Sequence, residues 1–564
     1  MKKVLVLICL ALLLGNLIFS PSSFKANIEE EISNLYLEIP KNAWSRAPVK
    51  TVYLPVKLGN LSLDGDALVK SIEILDKDNN LIFEEKKEIS LKSAYEFAKS
   101  AEEIRESLGI NPPTNEDLDK AKEIILEIDK ETDKTKKDIL VEEAWQLLQY
   151  KQSDKNPDTY TEKEQQLSNL LHTEWIEIDL INIKKNIEEE DYVPIKVKIN
   201  YEINNAAYQA EEQTNLFYLN SLPTRTGWYP GDGHIHTTWS DGDSTVQQRR
   251  DQSNSKGLKW IIITDHAGDS LHSPLQPRFE ESEFAAYRLD CANAQNTYPN
   301  ITVCPGEELA TVEINGSHLL CYANSSYVAS YGSNQELINR TNSSGGFGII
   351  AHPYNPFFLW FDWTVVDFKG LEIISNQLDY SQNAINKWDE LLTNSLQGII
   401  NGTYPKIIGM ANSDVHNSFA DPWCSNMNYI YTGSPNPPGA DRSAVYNNLK
   451  AGRVSASSDG SLAVFSLNNY APGSIVNVSP YYDNVSITVS GKCFSTKATH
   501  TEIKIKSNNG LEVLTDSLDI TDFSKTYYLT ANYDSYYRVE VIFKDSSGNP
   551  TSYCFVSPIY VNLP

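Results

Sequence analysis

The sequence predicts a multidomain chain of mixed α/β and β class, with a central α/β domain flanked by two β-rich domains. Three observations carry this. The chain has 564 residues, enough for about three to four domains. Between residues 226 and 460, short apolar runs alternate with helix-like stretches. On both sides of that segment, apolar and polar residues alternate in short runs, as half-buried strands require.

Residues 1–26 come first. Met1, Lys2 and Lys3 precede an apolar run from Val4 to about Ser20, which reads as a secretory signal peptide or, uncleaved, as an N-terminal membrane tether. The expected location is therefore secreted or extracytoplasmic. Residues 27–225 contain LYLEI, TVYLPVKL and SIEILDKDNNLIFEE, with Asn79-Asn80 as a hairpin step, and later WIEIDLI and PIKVKINYEI. Between them, at about 90–172, Ala, Leu, Glu and Lys recur at helical spacing. The expectation is a β-sandwich-like domain with a helical insertion.

From 226 to 460, KWIIITDH, ITVCPGEE, FGIIAHP, LEIIS and KIIGMANSDVH read as buried parallel strands. Helices are expected near 245–256, 280–296, 333–343, 382–396 and 441–451, giving a barrel or a doubly wound sheet. Residues 461–564 return to short strands (NVSITVSGKC, TEIKIKS, YYRVEVIFKD), which predict a C-terminal β-sandwich.

The net charge is -26, from 74 acidic against 48 basic residues, so a dedicated nucleic-acid module is not expected. Of the seven cysteines, Cys9 lies in the apolar run. Cys291, Cys304, Cys321 and Cys424 read as small buried hydrophobes. Cys493 and Cys554 could pair as a disulfide in an oxidising compartment. No CxxC spacing occurs, which disfavours a thiolate zinc site.

Seven of the nine histidines lie between 234 and 416: His234, His236, His266, His272, His318, His352 and His416. His172 and His500 read as ordinary surface or packing residues. His234 and His236 stand two apart, so an extended backbone turns both imidazoles to one side. Asp241 follows them. TDH places Asp265 and His266, and PGEE places Glu307 and Glu308, where alternation allows one of each pair to face a common site. GSHLLCY offers His318, AHP offers His352, and SDVH places Asp414 and His416 on one side again. Most of these groups come at the C-terminal ends of apolar strands, where βα enzymes build active sites. So many ionisable groups gathered together need a compensating charge, which points to a polynuclear metal site.

The segments DGHIHTTWSDG, TDH, PGEE, GSHLLCY, AHP and SDVH resemble, in order, the motifs of the PHP (polymerase and histidinol phosphatase) superfamily. GWYPGDGHIHTTWSDG, AVYNNLKAGRVSASSDG and YRVEV…SPIYV further resemble its exported carbaryl-hydrolase-like subgroup. The resemblance covers about residues 225–562 and implies a distorted (β/α)7 barrel with two to three divalent transition-metal ions (Zn, Mn or Fe). Carried over residue by residue, it implies that His234, His236, Glu308 and Asp414 hold the first ion. Glu308 would bridge to a second ion, shared with His318 and His352. Asp241, His266 and His416 would hold a third. The family pattern Pro-Gly-x-Glu falls on Pro305-Gly306-Glu307-Glu308 and selects Glu308. Two positions depart from the family: Gly233 stands where Leu is usual, and Ala267 where Asp is frequent.

Mixed His and carboxylate ligands suit Zn, Mn or Fe with positions left open for water and substrate. A water between two cations loses a proton near neutral pH and becomes the nucleophile. Among candidate catalytic residues, Asp265 would orient the water or a ligand imidazole, or else cap a turn. His272, in AGDSLHSPLQP, would protonate a leaving group, or else be a solvent-exposed loop residue. Glu372 reads as a support for the ligands or as the polar face of a strand. Arg249, Arg250, Arg278 and Arg288 fit a phosphate-facing cluster and exposed helix faces equally.

The first expectation is an exported metal-dependent hydrolase, a phosphoesterase acting on phosphomonoesters, nucleotides or phosphodiesters. The alternative is a carboxyl- or carbamate-ester hydrolase. In either case the partner is a small-molecule or polymer ester substrate. A reading of another class is a cell-surface polymer-binding protein with secondary catalysis. The oligomeric state is left open.

Overall fold

The computed structural model describes residues 35–60, 62, 65–93, 110–111, 120, 151–152, 172–268, 278–310, 317–355, 359–375, 382–417, 426–479, 484–531 and 533–563. The expected export segment, most of the helical insertion, His272 and Cys424 lie outside the described residues. The chain divides into two units, Met1–Ala43 with Thr51–Phe217, and Trp44–Lys50 with Tyr218–Pro564.

In the first unit, the strands Leu35–Glu38 and His172–Asp179 pair antiparallel with the two edges of Thr51–Asn60. A second sheet runs in the order Ala206–Leu219, Asp191–Ile203, Ala67–Asp76, Leu81–Leu91. Period-two patterning buries Val52, Leu54, Val56 and Leu58 in the first sheet and Val197, Ile199, Ile72 and Ile74 in the second. The hairpin at Asn79-Asn80 forms because Asn79 takes φ 63° and the Asp76 carboxylate accepts from the Asp78 and Asn80 amides at 2.8 Å each.

In the second unit, Trp228–Ile235, Trp260–Ile263 and Thr302–Ala310 pair in parallel, as do Phe347–Ile350, Gly370–Ser375 and Ile408–Asn412. Between the two trios, His318–Tyr322 runs antiparallel to both neighbours. Only residues 311–317 precede it, too few for the crossover that a parallel strand needs. The reversal brings its first residue, His318, to the same rim as the C-terminal ends of the parallel strands. The last strand of this run returns to the first: Ile235 bridges Val415 in parallel, and the Asp414 amide donates to the His234 carbonyl at 3.0 Å.

Both faces of these strands are apolar. Trp260, Ile262, Cys304, Leu320, Ile349 and Met410 form one cluster, and Ile261, Ile263, Val303, Leu309, Leu319 and Ile350 belong to another. The connecting helices are Val246–Ser255, Phe284–Thr297, Asn334–Ser343, Gln382–Ile400 and Arg442–Lys450. Capping boxes at Thr245/Gln248 and Ser333/Glu336 begin two of them.

The ladder does not stop at the expected boundary near residue 460. Trp228–Ile235 pairs with Met427–Tyr431, which pairs with Val454–Ser457, which pairs with Pro550–Asn562 of the tail. Ser535–Lys544, His500–Ser507 and Leu511–Leu518 extend it. A second tail sheet contains Leu462–Leu467, Asn484–Lys492 and Asp522–Thr530.

The five described cysteines are free thiols. Cys554 lies in Pro550–Asn562, and Cys493 follows Asn484–Lys492 in the other tail sheet. Both meet Ser461, whose hydroxyl donates to Cys493 Sγ at 3.5 Å and whose carbonyl accepts from Cys554 at 3.2 Å. Burial pushes the Cys493 thiol up to about 11. Iodoacetamide at pH 7 is therefore expected to leave Cys554 unlabelled in the folded protein and to label both cysteines after unfolding in urea, as read by intact mass.

Candidate metal centre

The parallel strands deliver their ends to one rim, and the sequence places His, Asp or Glu at each. His234 is the last residue but one of Trp228–Ile235, and His236 follows the strand directly. His266 pairs in register with Glu308 on the adjacent strand. His318 begins the reversed strand. His352 follows Phe347–Ile350 and turns with φ 25°, while Asp414 follows Ile408–Asn412 and turns with φ 52°. These bends point both side chains back toward the rim.

Glu308 is the centre of the arrangement. Its Oε2 lies 3.2 Å from His234 Nε2, 3.0 Å from His236 Nε2 and 3.2 Å from His266 Nδ1. Its Oε1 lies 2.7 Å from His318 Nδ1 and 3.3 Å from His352 Nε2. Asp414 Oδ1 is 3.0 Å from His234 Nε2 and 3.3 Å from His236 Nε2. Asp241 faces His236, His266 and His416 at 3.4, 3.5 and 3.3 Å. Three groups of ligand atoms lie mutually within 4.8 Å: His234, His236, Glu308 and Asp414; His236, Asp241, His266 and His416; and His266, Glu308 and His318. His236 and His266 thus each belong to two groups. His352 reaches Glu308 from outside the third group.

The supporting shell tests whether cations fit. Glu372 Oε1 sits 2.9 Å from His234 Nδ1. A carboxylate only accepts, so Nδ1 carries a proton, which leaves Nε2, facing Glu308 and Asp414, to give a lone pair to a cation or a second proton to the carboxylates. His416 behaves alike: its Nδ1 donates to the Asp414 carbonyl at 3.0 Å, which turns the Nε2 lone pair to Asp241. His234 Nε2 also lies 3.1 Å from His236 Nε2, where two N–H groups head to head would repel and a cation would accept both lone pairs. The donor set therefore suits divalent metal ions.

The carboxylates and imidazoles shift one another strongly. Burial disfavours charge on His236, but Asp414, Glu308 and Asp241 raise it to about 10. At His318 burial wins over Glu308 and pushes it down to about 4. Burial would raise Glu308 and Asp414, yet the surrounding imidazoles hold both carboxyls well below the usual range.

Several expected side chains act elsewhere. Glu307 faces away from the rim; its carboxylate accepts from Asn324 Nδ2 at 2.5 Å and from the Val328 amide at 3.2 Å. Burial raises it to about 8. Asp265 holds the turn after His236, accepting from the Thr237 amide and hydroxyl at 2.6 Å each and from the Ser240 hydroxyl at 2.7 Å. Ser240 in turn lies 3.3 Å from His236 Nδ1. Asp265 is thus placed as a turn clamp acting on His236 through Ser240.

Arg249 does not lie on an exposed helix face. It is fully buried, and its guanidinium donates to the carbonyls of His236 at 2.9 Å and His416 at 2.7 Å. Periodicity could not reveal this, because the partners are backbone atoms brought in by other strands. Gly233 is also explained. The Tyr322 hydroxyl donates to the Gly233 carbonyl at 2.6 Å, and a Cβ at 233 would meet that hydroxyl at 2.6 Å. No larger side chain fits there while Tyr322 stays.

Glu372 ties the centre together: besides His234, it accepts from Asn412 Nδ2 at 2.7 Å and from the His352 amide at 2.7 Å. Glu372→Ala is expected to weaken metal binding about 10- to 100-fold, as measured by competition with a chelating dye.

No family model and no curated protein matches the chain. Among solved structures, it is similar to a two-domain protein of Bacteroides vulgatus containing a predicted PHP-like metal-dependent phosphoesterase. That match has 14% identity and a TM-score of 0.33, covering 60% of this chain and 98% of the other. A predicted metal-dependent phosphoesterase of Bifidobacterium adolescentis matches at 15% identity and a TM-score of 0.26, covering 41% of this chain and 97% of the other. A β-glucuronidase of Parabacteroides merdae matches at 8% identity and a TM-score of 0.19, covering 94% of this chain and 65% of the other. At such identities and scores the likeness assigns neither a family nor an activity to this chain.

Proposed function

We propose that the protein is an exported, metal-dependent phosphoesterase with a distorted seven-stranded barrel of the PHP type. In this reading the nine side chains of the sequence motifs hold two to three Zn, Mn or Fe ions. The observation that carries the reading is Glu308, whose two oxygens lie within 3.3 Å of imidazoles from five positions, His234, His236, His266, His318 and His352. A carboxylate so placed suits a bridge between cations. When bound, the cations supply an acidified water and positive charge opposite the oxygens of the scissile group. The protein supplies the rest: Glu372 fixes the His234 ring, Asp265 clamps the His236 turn, and Arg249 ties the His236 and His416 segments.

Charge favours phosphate over neutral esters. Three divalent cations outweigh the three carboxylates of the set and one hydroxide, so the fully loaded centre is positive and attracts an anionic substrate. His416 and Asp241 are its most exposed members, at 28% and 14%, which marks the side open to substrate.

Elemental analysis of the purified protein is expected to find two to three transition-metal ions per chain. Chelation should abolish hydrolysis of p-nitrophenyl phosphate or its bis ester and lower the melting temperature, and Mn²⁺ or Zn²⁺ should restore both. A folded sample without metal, or hydrolysis that survives chelation, would overturn the reading. Faster turnover of naphthyl acetate or carbamate would move the substrate class to carboxyl esters.

A further inference from the structure

We infer that the strand ends opposite the metal rim carry an anion-binding site, where Lys369, Lys406, Lys450 and Arg453 hold a phosphate-type oxyanion. This second site stands whether or not the phosphoesterase reading holds.

Successive connections meet at that end. His352 follows Phe347–Ile350 at the rim, so Phe347 begins its strand at the opposite end. Lys369 immediately precedes Gly370–Ser375, and Lys406 stands two residues before Ile408–Asn412. Lys450 is the last residue of the helix Arg442–Lys450, and Arg453 comes just before Val454–Ser457.

Local contacts draw the four together. The Lys369 amide donates to the Gly348 carbonyl at 2.8 Å, and the Lys369 carbonyl accepts from the Ile408 amide at 2.8 Å. Lys369 thus lies between the strand that begins at Phe347 and the one that Lys406 leads into. The Lys450 ammonium donates to the Gly345 carbonyl at 3.3 Å and sits 5.1 Å from the centre of the Phe347 ring, beside Gly348. Gly452 takes φ 78° and turns the chain after the helix, and a Cβ there would come within 3.6 Å of Lys406 Cδ. Lys406 therefore lies along the turn that joins Lys450 to Arg453.

Charge is what sets this cluster apart. The chain has 74 acidic residues against 48 basic, so carboxylates are plentiful partners. Among the described residues, none of these four side chains forms an ion pair. Arg453 donates instead to the Asn448 side-chain oxygen at 3.0 Å. Asp367, on the connection that leads to Lys369, offsets part of the charge. The three lysines are half-buried and Arg453 is exposed, so the cluster is open to solvent on one side only. Burial and the charges of Lys450 and Lys406 hold the Lys369 ammonium below its ordinary value, and burial and Arg453 do the same to Lys406. An oxyanion seated among them relieves this repulsion and accepts charge-assisted hydrogen bonds. Ammonium groups on flexible stems suit a tetrahedral anion, whose oxygens point in several directions.

The test is lysine acetylation of the metal-loaded protein, read peptide by peptide by mass spectrometry, in phosphate and in chloride of the same ionic strength. Phosphate at ten times its Kd is expected to slow labelling of Lys369, Lys406 and Lys450 about tenfold. Lys86, whose side chain is 79% exposed in the first unit, should label equally in both. The readout is local, so phosphate held at the metal centre does not enter it. Lys406→Gln is expected to raise the phosphate concentration that half-protects Lys369 about ten- to a hundredfold. Lys406→Arg should keep the protection. Arg453→Gln, at an exposed position, should weaken it too and carries the test if Lys406→Gln fails to fold. Methylphosphonate distinguishes two sources of the anion. Protection equal to that by phosphate supports a phosphoryl group borne on a larger molecule, and protection by phosphate alone supports the free ion.

Equal labelling of these lysines in phosphate and in chloride would overturn the inference and leave the phosphoesterase reading standing. Protection kept in full by both Lys406→Gln and Arg453→Gln would overturn it as well.

Discussion

Glu308→Gln is expected to lose about a thousandfold or more in kcat/KM, while Glu307→Gln keeps most of the activity. The two residues are adjacent on one buried strand, yet they face opposite ways. Glu308 meets His234, His236 and His266 through one oxygen and His318 and His352 through the other. Replacing it by the neutral amide puts a poor ligand where two cations are proposed to share a charged one. Each cation supplies several kcal/mol of charge stabilisation, and each 1.4 kcal/mol is tenfold in rate, so about three decades is a lower bound. Glu307 is held by Asn324 and Val328 on the far face. Its replacement turns one N–H toward the Val328 amide and is expected to cost about 1–2 kcal/mol of stability and little catalysis. Steady-state kinetics at saturating metal, with metal content and urea denaturation on both variants, checks the pair. A larger kinetic loss in Glu307→Gln would mean that the strand register does not set which carboxylate works.

The histidines and carboxylates were legible because their signal is local. His234 and His236 share a face through a spacing of two, and the apolar runs before His266, His352 and Asp414 mark strand ends. Glu308 against Glu307 was not decided by the residues themselves, since alternation says that one faces inward without saying which. Asn324 and Val328 decide it, claiming Glu307 from a later segment. The reversed direction of His318–Tyr322 depends on the shortness of the preceding connection, a length argument that apolar patterning does not contain. Long-range partners were the least legible. Arg249 lies in a strongly polar helix, and nothing in its periodicity shows that two carbonyls await it. The unbroken ladder from Val454–Ser457 into Pro550–Asn562 joins segments about a hundred residues apart. Apolar patterning marks both as strands but does not pair them.

Asp389→Ala is expected to destabilise the second unit by about 3–5 kcal/mol without touching the metal centre. Asp389 lies in the helix Gln382–Ile400, and its partners lie in the tail strand Ser535–Lys544. Arg538 Nε and Nη2 donate to Asp389 at 2.6 and 2.5 Å, and the Tyr536 hydroxyl donates at 2.9 Å. The Arg538 side chain is 0% exposed and that of Asp389 is 8% exposed, so solvent cannot replace the lost partner. Removing the carboxylate leaves a buried guanidinium with Glu540, 2.7 Å from Nη1, as its remaining counter-charge. The backbone is fitted to the pair: Gly510 takes φ 67°, and a Cβ there would come within 2.5 Å of Asp389 Oδ2. The pair is not expected to be worth its breaking cost, because taking two charges out of water offsets much of their attraction. Asp389→Leu combined with Arg538→Met should therefore lose less than either single change. The Trp388 ring lies 4.9 Å from the Arg538 guanidinium at this junction. Urea denaturation followed by circular dichroism gives the three free energies. A single-variant loss below about 1 kcal/mol would show that water reaches the guanidinium and that apolar packing alone holds the tail to the helix.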